Sequence, residues 1–370
     1  MGQNQFTGAI RRREFLRLAG VAAGIAGGPI PAAASRPRAC IFVHQNGGLS
    51  HVDTFDMKPG APLEIRGEFR PIRTSVPGIH ICEHLPLLAR RAQDLVIVRS
   101  MTGRENNHER AACELRTARR FRMEGDPRQP AEAPSAAPVE GAAQWFEVRP
   151  QAGLASCQPL PWRARREAVS LAVYGEARSE AFRRASQTGE EVERWRSSYG
   201  GSQLGAACLA ARRFVEAGAR FVAIDEGYLR YDTHCDHFRR LREELLPSMD
   251  RALSALIDDL RERGLLASTL IVATGEFGRS PRINLDGGRD HHAEAWSALL
   301  AGGGLTGGRV VGATDATGAT VTAQPVYPED LWASVAALIG AAKAQTALSA
   351  APPEPQLLFG EGRPVPALLC

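Results

Sequence analysis

The 370-residue chain has no Cys-x-x-Cys pair, no strong excess of either charge and no apolar run long enough to span a bilayer stably. Its seven cysteines (Cys40, Cys82, Cys113, Cys157, Cys208, Cys235 and Cys370) are dispersed, which argues against a zinc ribbon. Their odd number leaves at least one unpaired or paired between chains. The formal net charge is +4, and the basic excess is local, in the N-terminal segment and in Arg163 to Arg166. So local an excess implies no nucleic-acid surface. Glycine and proline are plentiful, at 37 and 24 residues, and with this length they suit one large α/β domain or a domain with an insertion.

The first residues read as a targeting segment. Arg12-Arg13-x-Phe15-Leu16, with Arg17 behind it, matches a twin-arginine export signal. An apolar, Gly/Ala-rich stretch runs from Leu18 to Ala26, and Ala32-Ala33-Ala34 offers a small-residue cleavage site. Residues 1–34 are therefore expected to be removed, leaving no stable membrane span in a periplasmic or extracellular protein.

Beyond it, short apolar runs alternate with helical patterns. Ala39 to Val43, Leu95 to Val98, Arg220 to Ile224, Leu270 to Ala273 and Trp296 to Ala301 read as buried strands. Helices are expected from Asn107 to Arg119, from about Glu180 to Gly218 with a break at Gly200-Gly201, and from His237 to Arg263 with a bend at Pro247. A last helix is expected from Pro328 to Ile339. The alternation predicts an α/β fold, a mostly parallel sheet with helices on both faces. Residues 120–181 are poor in apolar periodicity and read as a partly ordered insert, and the tail from 344 to 370 as irregular.

Chemistry gathers where strands end. Gly47-Gly48 lets the chain turn sharply after the first strand, and Asp53 lies just beyond. On residue type alone Asp53 is a turn residue. After Ile224 come Asp232, His234, Asp236 and His237, a set of carboxylates and imidazoles of the kind that bind zinc, manganese or iron. Asp236 also suits the cap of the helix behind it. Thr274-Gly275-Glu276 puts an acid at another strand end, and Arg289-Asp290-His291-His292 closes the loop that follows. In parallel α/β sheets ligands bind at those carboxyl ends.

GEFGR at 275–279, GRDHH at 288–292 and the run LLAGGGLTGGRVVGATD from Leu299 resemble the C-terminal signature of an exported bacterial family known as domain of unknown function 1501. Asn46-Gly47-Gly48-Leu49-Ser50-His51-Val52-Asp53, Asn106-Asn107-His108 and Tyr231-Asp232-Thr233-His234 resemble it too, over roughly residues 38 to 120 and 180 to 343. That family is similar in plan to alkaline phosphatases, sulfatases and cofactor-independent phosphoglycerate mutases. The resemblance implies an alkaline phosphatase-like domain over residues 38–343, with a diverged or shortened segment at 120–181.

It also implies a metal site of one or two divalent ions, zinc or manganese. Asp53 and Glu276 would belong to one ion; Asp232, His234 and His291 to the other, with Asp290 and His292 in reserve. His108 falls near the position where sulfatases and phosphatases have their nucleophile, a serine, threonine or modified cysteine; Ser100 and Thr102 are the nearby hydroxyls. Arg279 and Arg289 would hold the anionic group of a small-molecule or glycan ester. The implied activity is hydrolysis of phosphate or sulfate esters. The alternative is a non-catalytic exported protein that keeps the fold to bind an anionic glycan or a protein partner.

Overall fold

The computed structural model describes residues 39–117, 144–151, 154–159, 170–174, 184–185, 193–339 and 362–369. The twin-arginine segment and its cleavage site lie outside them. Nine strands form the central sheet: β1 Ala39–His44, β2 Leu95–Met101, β3 Gln144–Gln151, β4 Leu154–Pro159, β5 Ser170–Tyr174, β6 Phe221–Asp225, β7 Thr269–Thr274, β8 Trp296–Gly302 and β9 Arg309–Val311. Their order is β9-β2-β8-β7-β1-β6-β5-β3-β4.

The middle of the sheet, β7-β1-β6, is parallel. These strands are apolar on both faces, as strands covered on both sides must be. Ile41 and Val43 of β1 join one core with Ile224, Ile271 and Ala273, while Cys40 and Phe42 join the other with Leu270 and Val272. Helices α2 Glu193–Tyr199, α3 Gln203–Glu216 and α5 Leu246–Glu262 cover the first face. Helix α6 Pro328–Leu338 covers the second through Leu331, Trp332 and Val335. Leu115 of α1 His108–Thr117 packs there as well, and the Trp332 indole donates to its carbonyl.

One strand departs from the simple alternation. β8 is antiparallel to both of its neighbours, β7 and β2. A parallel neighbour needs a crossover, usually a helix. The chain between Thr274 and Trp296 has none, only a short ribbon of Gly278–Arg279 against His291–His292. β2 therefore runs the same way as β1, β6 and β7. The loops leaving those four strands, and the segment entering β8, all gather at one edge of the sheet.

The expected partly ordered insert and the expected irregular tail both carry structure. Within 120–181, β5, β3 and β4 continue the sheet beyond β6 as antiparallel strands. At the end of the tail, Pro366–Leu369 forms a helical turn whose Leu368 is fully buried in the second core. Val365 N–H donates to Ser334 Oγ at 2.8 Å, and Arg363 N–H to Asp330 Oδ1 at 2.8 Å, so α6 holds this segment.

The long helix after β6 starts as α4 His237–Arg240, passes through a π turn at Leu241–Leu245 and resumes as α5, with Pro247 in its first turn. Proline has no N–H to donate, and the wider turn before it takes up the break. Asp236 makes no side-chain cap. Its backbone is left-handed, with φ of 53°, and its carboxylate pairs with Arg239 instead.

Leu368→Ala should destabilise the fold by about 2–5 kcal/mol, as other buried leucine truncations do. Urea unfolding would measure it, and a change near zero would mean that the tail does not dock.

Candidate functional site

The edge where the strands end is drawn together by close backbone approaches. Gly47, at φ +105°, passes so near the loop after β6 that an added Cβ would lie 2.5 Å from Asp232 N. Gly288 does the same from the loop after β7, where a Cβ would meet His234 O at 1.9 Å. No other residue allows these approaches. They bring Asp232 and His234 against the loop that carries Arg289 to His292.

α1 brings the fourth element. Asn107 caps it, its Oδ1 accepting from Arg110 N–H at 3.1 Å. His108 is its first residue and points inward, ringed by Phe277 and His291 at centroid distances of 4.7 and 4.2 Å.

Four side chains converge. His234 Nε2 lies 2.9 Å from His291 Nε2. Asp232 Oδ1 lies 3.1 Å from His234 Nε2, 3.3 Å from His291 Nε2 and 3.4 Å from His108 Nε2. The far nitrogen of each ring settles its tautomer. His291 Nδ1 is 2.7 Å from the Asn106 carbonyl, His234 Nδ1 is 2.9 Å from Asp290 Oδ1, and His108 Nδ1 is 2.6 Å from Glu276 Oε1. Those partners accept, so each Nδ1 carries the proton. In the neutral rings all three Nε2 lone pairs then face Asp232 Oδ1.

Such a set could hold a cation between its members. His108 Nε2 is buried with no hydrogen-bond partner. Ligands about 2.0–2.1 Å from a tetrahedral zinc stand roughly 3.3 Å apart, close to the spacing seen here. A ligating imidazole anchored through its other nitrogen is the usual arrangement around a protein-bound metal. His108, Asp232 and His291 form the one cluster of this kind among the described residues, and His234 adjoins it. Its donor set fits a single divalent ion.

Arg279 secures Asp232. Its guanidinium is fully buried and donates to that carboxylate and to the carbonyls of Gly47, Gly48 and Arg289. Burial alone would raise the Asp232 pKa. The neighbouring imidazoles of His108 and His291 and the Arg279 charge more than offset it, and hold the carboxyl well below its ordinary range. For His108, burial disfavours the proton, but Asp232 and Glu276 outweigh it and raise its pKa. Proton and metal therefore compete for the same nitrogen.

Asp53 and Glu276, expected to share an ion, are each taken up elsewhere. Asp53 is fully buried; Arg289 Nη2 donates to it at 3.0 Å with Nε in ion-pair contact at 2.6 Å, His237 Nε2 lies at 2.8 Å and Ser50 Oγ donates at 2.5 Å. Arg289 spends its remaining donors on the carbonyls of Ile65, Ser280 and Pro281. Glu276 meets Gly47 N–H, His44 and His108. His292 Nε2 lies 2.7 Å from the Ala319 carbonyl, away from the cluster. Thr102 donates to Glu294 O, and Ser100 is buried in β2. His44 was not singled out in the sequence; a histidine closing the otherwise apolar β1 was the available signal.

The cluster opens on a cavity of about 630 Å³ lined by Glu105, Asn106, Asn107, His108, Tyr228 and His291, among others. Fold and site together define an α/β protein with an imidazole–carboxylate centre at the carboxyl edge of its sheet. Its sequence matches the family described as "Protein of unknown function (DUF1501)" over residues 37–142 and 158–369, and the chain belongs to that family.

No curated protein matches it. Among solved structures it is similar to Ps i-CgsB in complex with k-i-k-neocarrahexaose, at 14% identity and a TM-score of 0.41, over 88% of this chain and 75% of that one. A sulfatase from Pseudoalteromonas sp. matches at 14% identity and a TM-score of 0.39, over 96% and 78%. A phosphonate monoester hydrolase from Silicibacter pomeroyi matches at 14% identity and a TM-score of 0.32, over 83% and 73%. At these values the likeness assigns no residue a role.

Asp53→Ala should cost about 3–5 kcal/mol with or without metal, because it leaves Arg289 buried and unpaired. Burial raises the Asp53 pKa, but Arg289 and His237 outweigh it and depress it strongly. Its contribution is thus complete above the unfolded carboxyl value of about 3.9 and is lost as pH falls below it. Chemical denaturation of wild type and Asp53→Asn across acid pH, in chelator, checks both statements. A metal-dependent loss alone would instead make Asp53 a ligand.

Proposed function

We propose that this protein is an exported metal-dependent hydrolase of phosphate or sulfate esters. One observation carries the reading: three imidazole nitrogens in their lone-pair state and a carboxylate oxygen converge at the wall of an open cavity. His108, Asp232, His234 and His291 would hold the ion, and zinc or manganese suits that donor set. A bound divalent ion would polarise an ester oxygen and stabilise charge on it.

The chain's own groups do the rest. Arg279 fixes Asp232, and Asn106 O and Asp290 fix the rings of His291 and His234. The N-terminus of α1 borders the cavity, and the positive end of its dipole favours an anion there. Among the described residues no serine or threonine lines the cavity, so the nucleophile in this reading is water, with no ester formed on the protein. Export by the twin-arginine route rests on Arg12-Arg13-x-Phe15-Leu16 and the Ala32-Ala33-Ala34 site. Among the described residues no helix is long and apolar enough to cross a membrane.

The saturated state of Arg279 and Arg289 favours a second reading. Neither guanidinium is offered to an anion. On that reading the protein is non-catalytic and uses the cavity to bind an anionic glycan or a protein partner.

Elemental analysis after dialysis should find metal in the wild type, and His234→Ala or His291→Ala should lose most of it. A screen of phosphate and sulfate esters should then show turnover that chelation abolishes. Metal without turnover leaves the binding reading; equal metal in wild type and both variants overturns the site. Replacing Arg12 and Arg13 with lysine should hold the precursor in the cytoplasm. Fractionation that still finds mature protein outside would overturn the export reading.

A further inference from the structure

Both carboxylate oxygens of Glu276 are engaged by the protein. Its side chain is fully enclosed. Gly47 N–H approaches Oε1 at 2.9 Å and Oε2 at 3.1 Å. His44 Nε2 lies 3.1 Å from Oε2, and His108 Nδ1 2.6 Å from Oε1. Each oxygen is thus already bound by the protein. The other end of the His108 ring is the reverse case, since Nε2 is buried and without a hydrogen-bond partner.

We infer that Glu276 is a positioning residue, which fixes His108 as a metal ligand without itself touching the ion, and that His44 holds Glu276 in place from behind. The ligand half of this statement rests on the metal reading above; the positioning half stands on the hydrogen bonds alone. A neutral imidazole carries one proton. With that proton kept at Nδ1 by a buried carboxylate, the lone pair is fixed at Nε2 and aimed at Asp232 and His291. The anionic acceptor also makes the ring a stronger donor.

The three imidazoles are not equivalent in this respect. His291 is held by a neutral carbonyl, that of Asn106. His234 is held by Asp290, and both side chains of that pair are exposed. Only His108 has a buried anion as its anchor, and that anion has its own imidazole behind it, whose Nδ1 lies 3.9 Å from Asp225 Oδ2. The chain from His44 through Glu276 to His108 ties the end of β1 and the loop after β7 to the start of α1. It sets one ring from two separate strand ends.

The decisive measurement is nitrogen NMR of labelled histidine in the metal-free wild type, which should find neutral His108 protonated at Nδ1. In Glu276→Leu that preference should vanish, and affinity for zinc, read by competition with a chromophoric chelator, should fall by about 10–100-fold. Glu276→Gln keeps an acceptor and loses the charge, so its loss should be smaller. His44→Gln, which keeps a donor, should stay nearer wild type than His44→Leu. With cobalt as probe, the visible spectrum of Glu276→Gln should keep the wild-type band shape, since no ligand is lost.

A changed cobalt coordination spectrum in Glu276→Gln would make Glu276 a ligand and overturn the inference. So would neutral His108 protonated at Nε2 in the wild type. If Glu276→Leu does not fold, the Gln variant and the wild-type spectrum still decide. Wild type that binds neither zinc nor cobalt would overturn the metal reading and the ligand half with it; the tautomer result would still decide the positioning half.

Discussion

The buried contact of Asp53 with Arg289 and His237 is the constraint on which the rest of the site depends. Asp53 leaves β1's loop, His237 opens the helix behind β6, and Arg289 ends the loop after β7. Those are the three loops that carry or flank the imidazole–carboxylate cluster. Taking these charges out of water is costly, and good geometry with every remaining donor satisfied is what offsets it. That condition is met for all but Arg289 Nε, which contacts Asp53 Oδ2 at 2.6 Å without hydrogen-bond alignment. Arg289 gives its other protons to backbone carbonyls, and Thr233 Oγ1 takes the far side of His237 at 2.6 Å. Thr233 sits between Asp232 and His234, and its carbonyl accepts Arg289 N–H. The structural triad and the chemical cluster therefore share a backbone.

A division of labour follows between two guanidinium groups and two kinds of carboxylate. Arg289 works below the site and is spent on Asp53. Arg279 works at its floor and is spent on Asp232. Neither lines the cavity as a free cation. Carboxylates divide likewise: Asp232 lies among the Nε2 atoms, while Glu276 and Asp290 stand behind rings and orient them.

The sheet makes this possible through one antiparallel strand. Because β8 enters where β7 leaves, the long polar loop between them begins and ends at the same edge. A helix there would have carried the chain to the far end of the sheet. The loop instead doubles back as a ribbon, which places Arg279 opposite His291 and Gly278 opposite His292. In that ribbon the residues that fix the site and one that forms it are cross-strand partners.

Apolar runs and glycine spacing made most of the fold legible in the sequence. β1, β2, β6, β7 and β8 stand where those runs fall, because a strand buried on both faces must be apolar throughout. Asp232, His234 and His291 were legible too, as the ligand-type residues that follow strand ends. The direction of β8 was not, although the missing crossover helix was its physical cause. The docking of Leu368 is not legible in the sequence, because one buried leucine in a proline-rich tail has no periodicity to show it. The sequence by itself determined that carboxylates and imidazoles would collect at the carboxyl edge of a largely parallel sheet. Only the tertiary structure decided which acid stands among the ring nitrogens and which are spent on arginine or behind a histidine. That choice depends on distances of a few tenths of an ångström between loops far apart in the chain, which no residue's identity encodes alone.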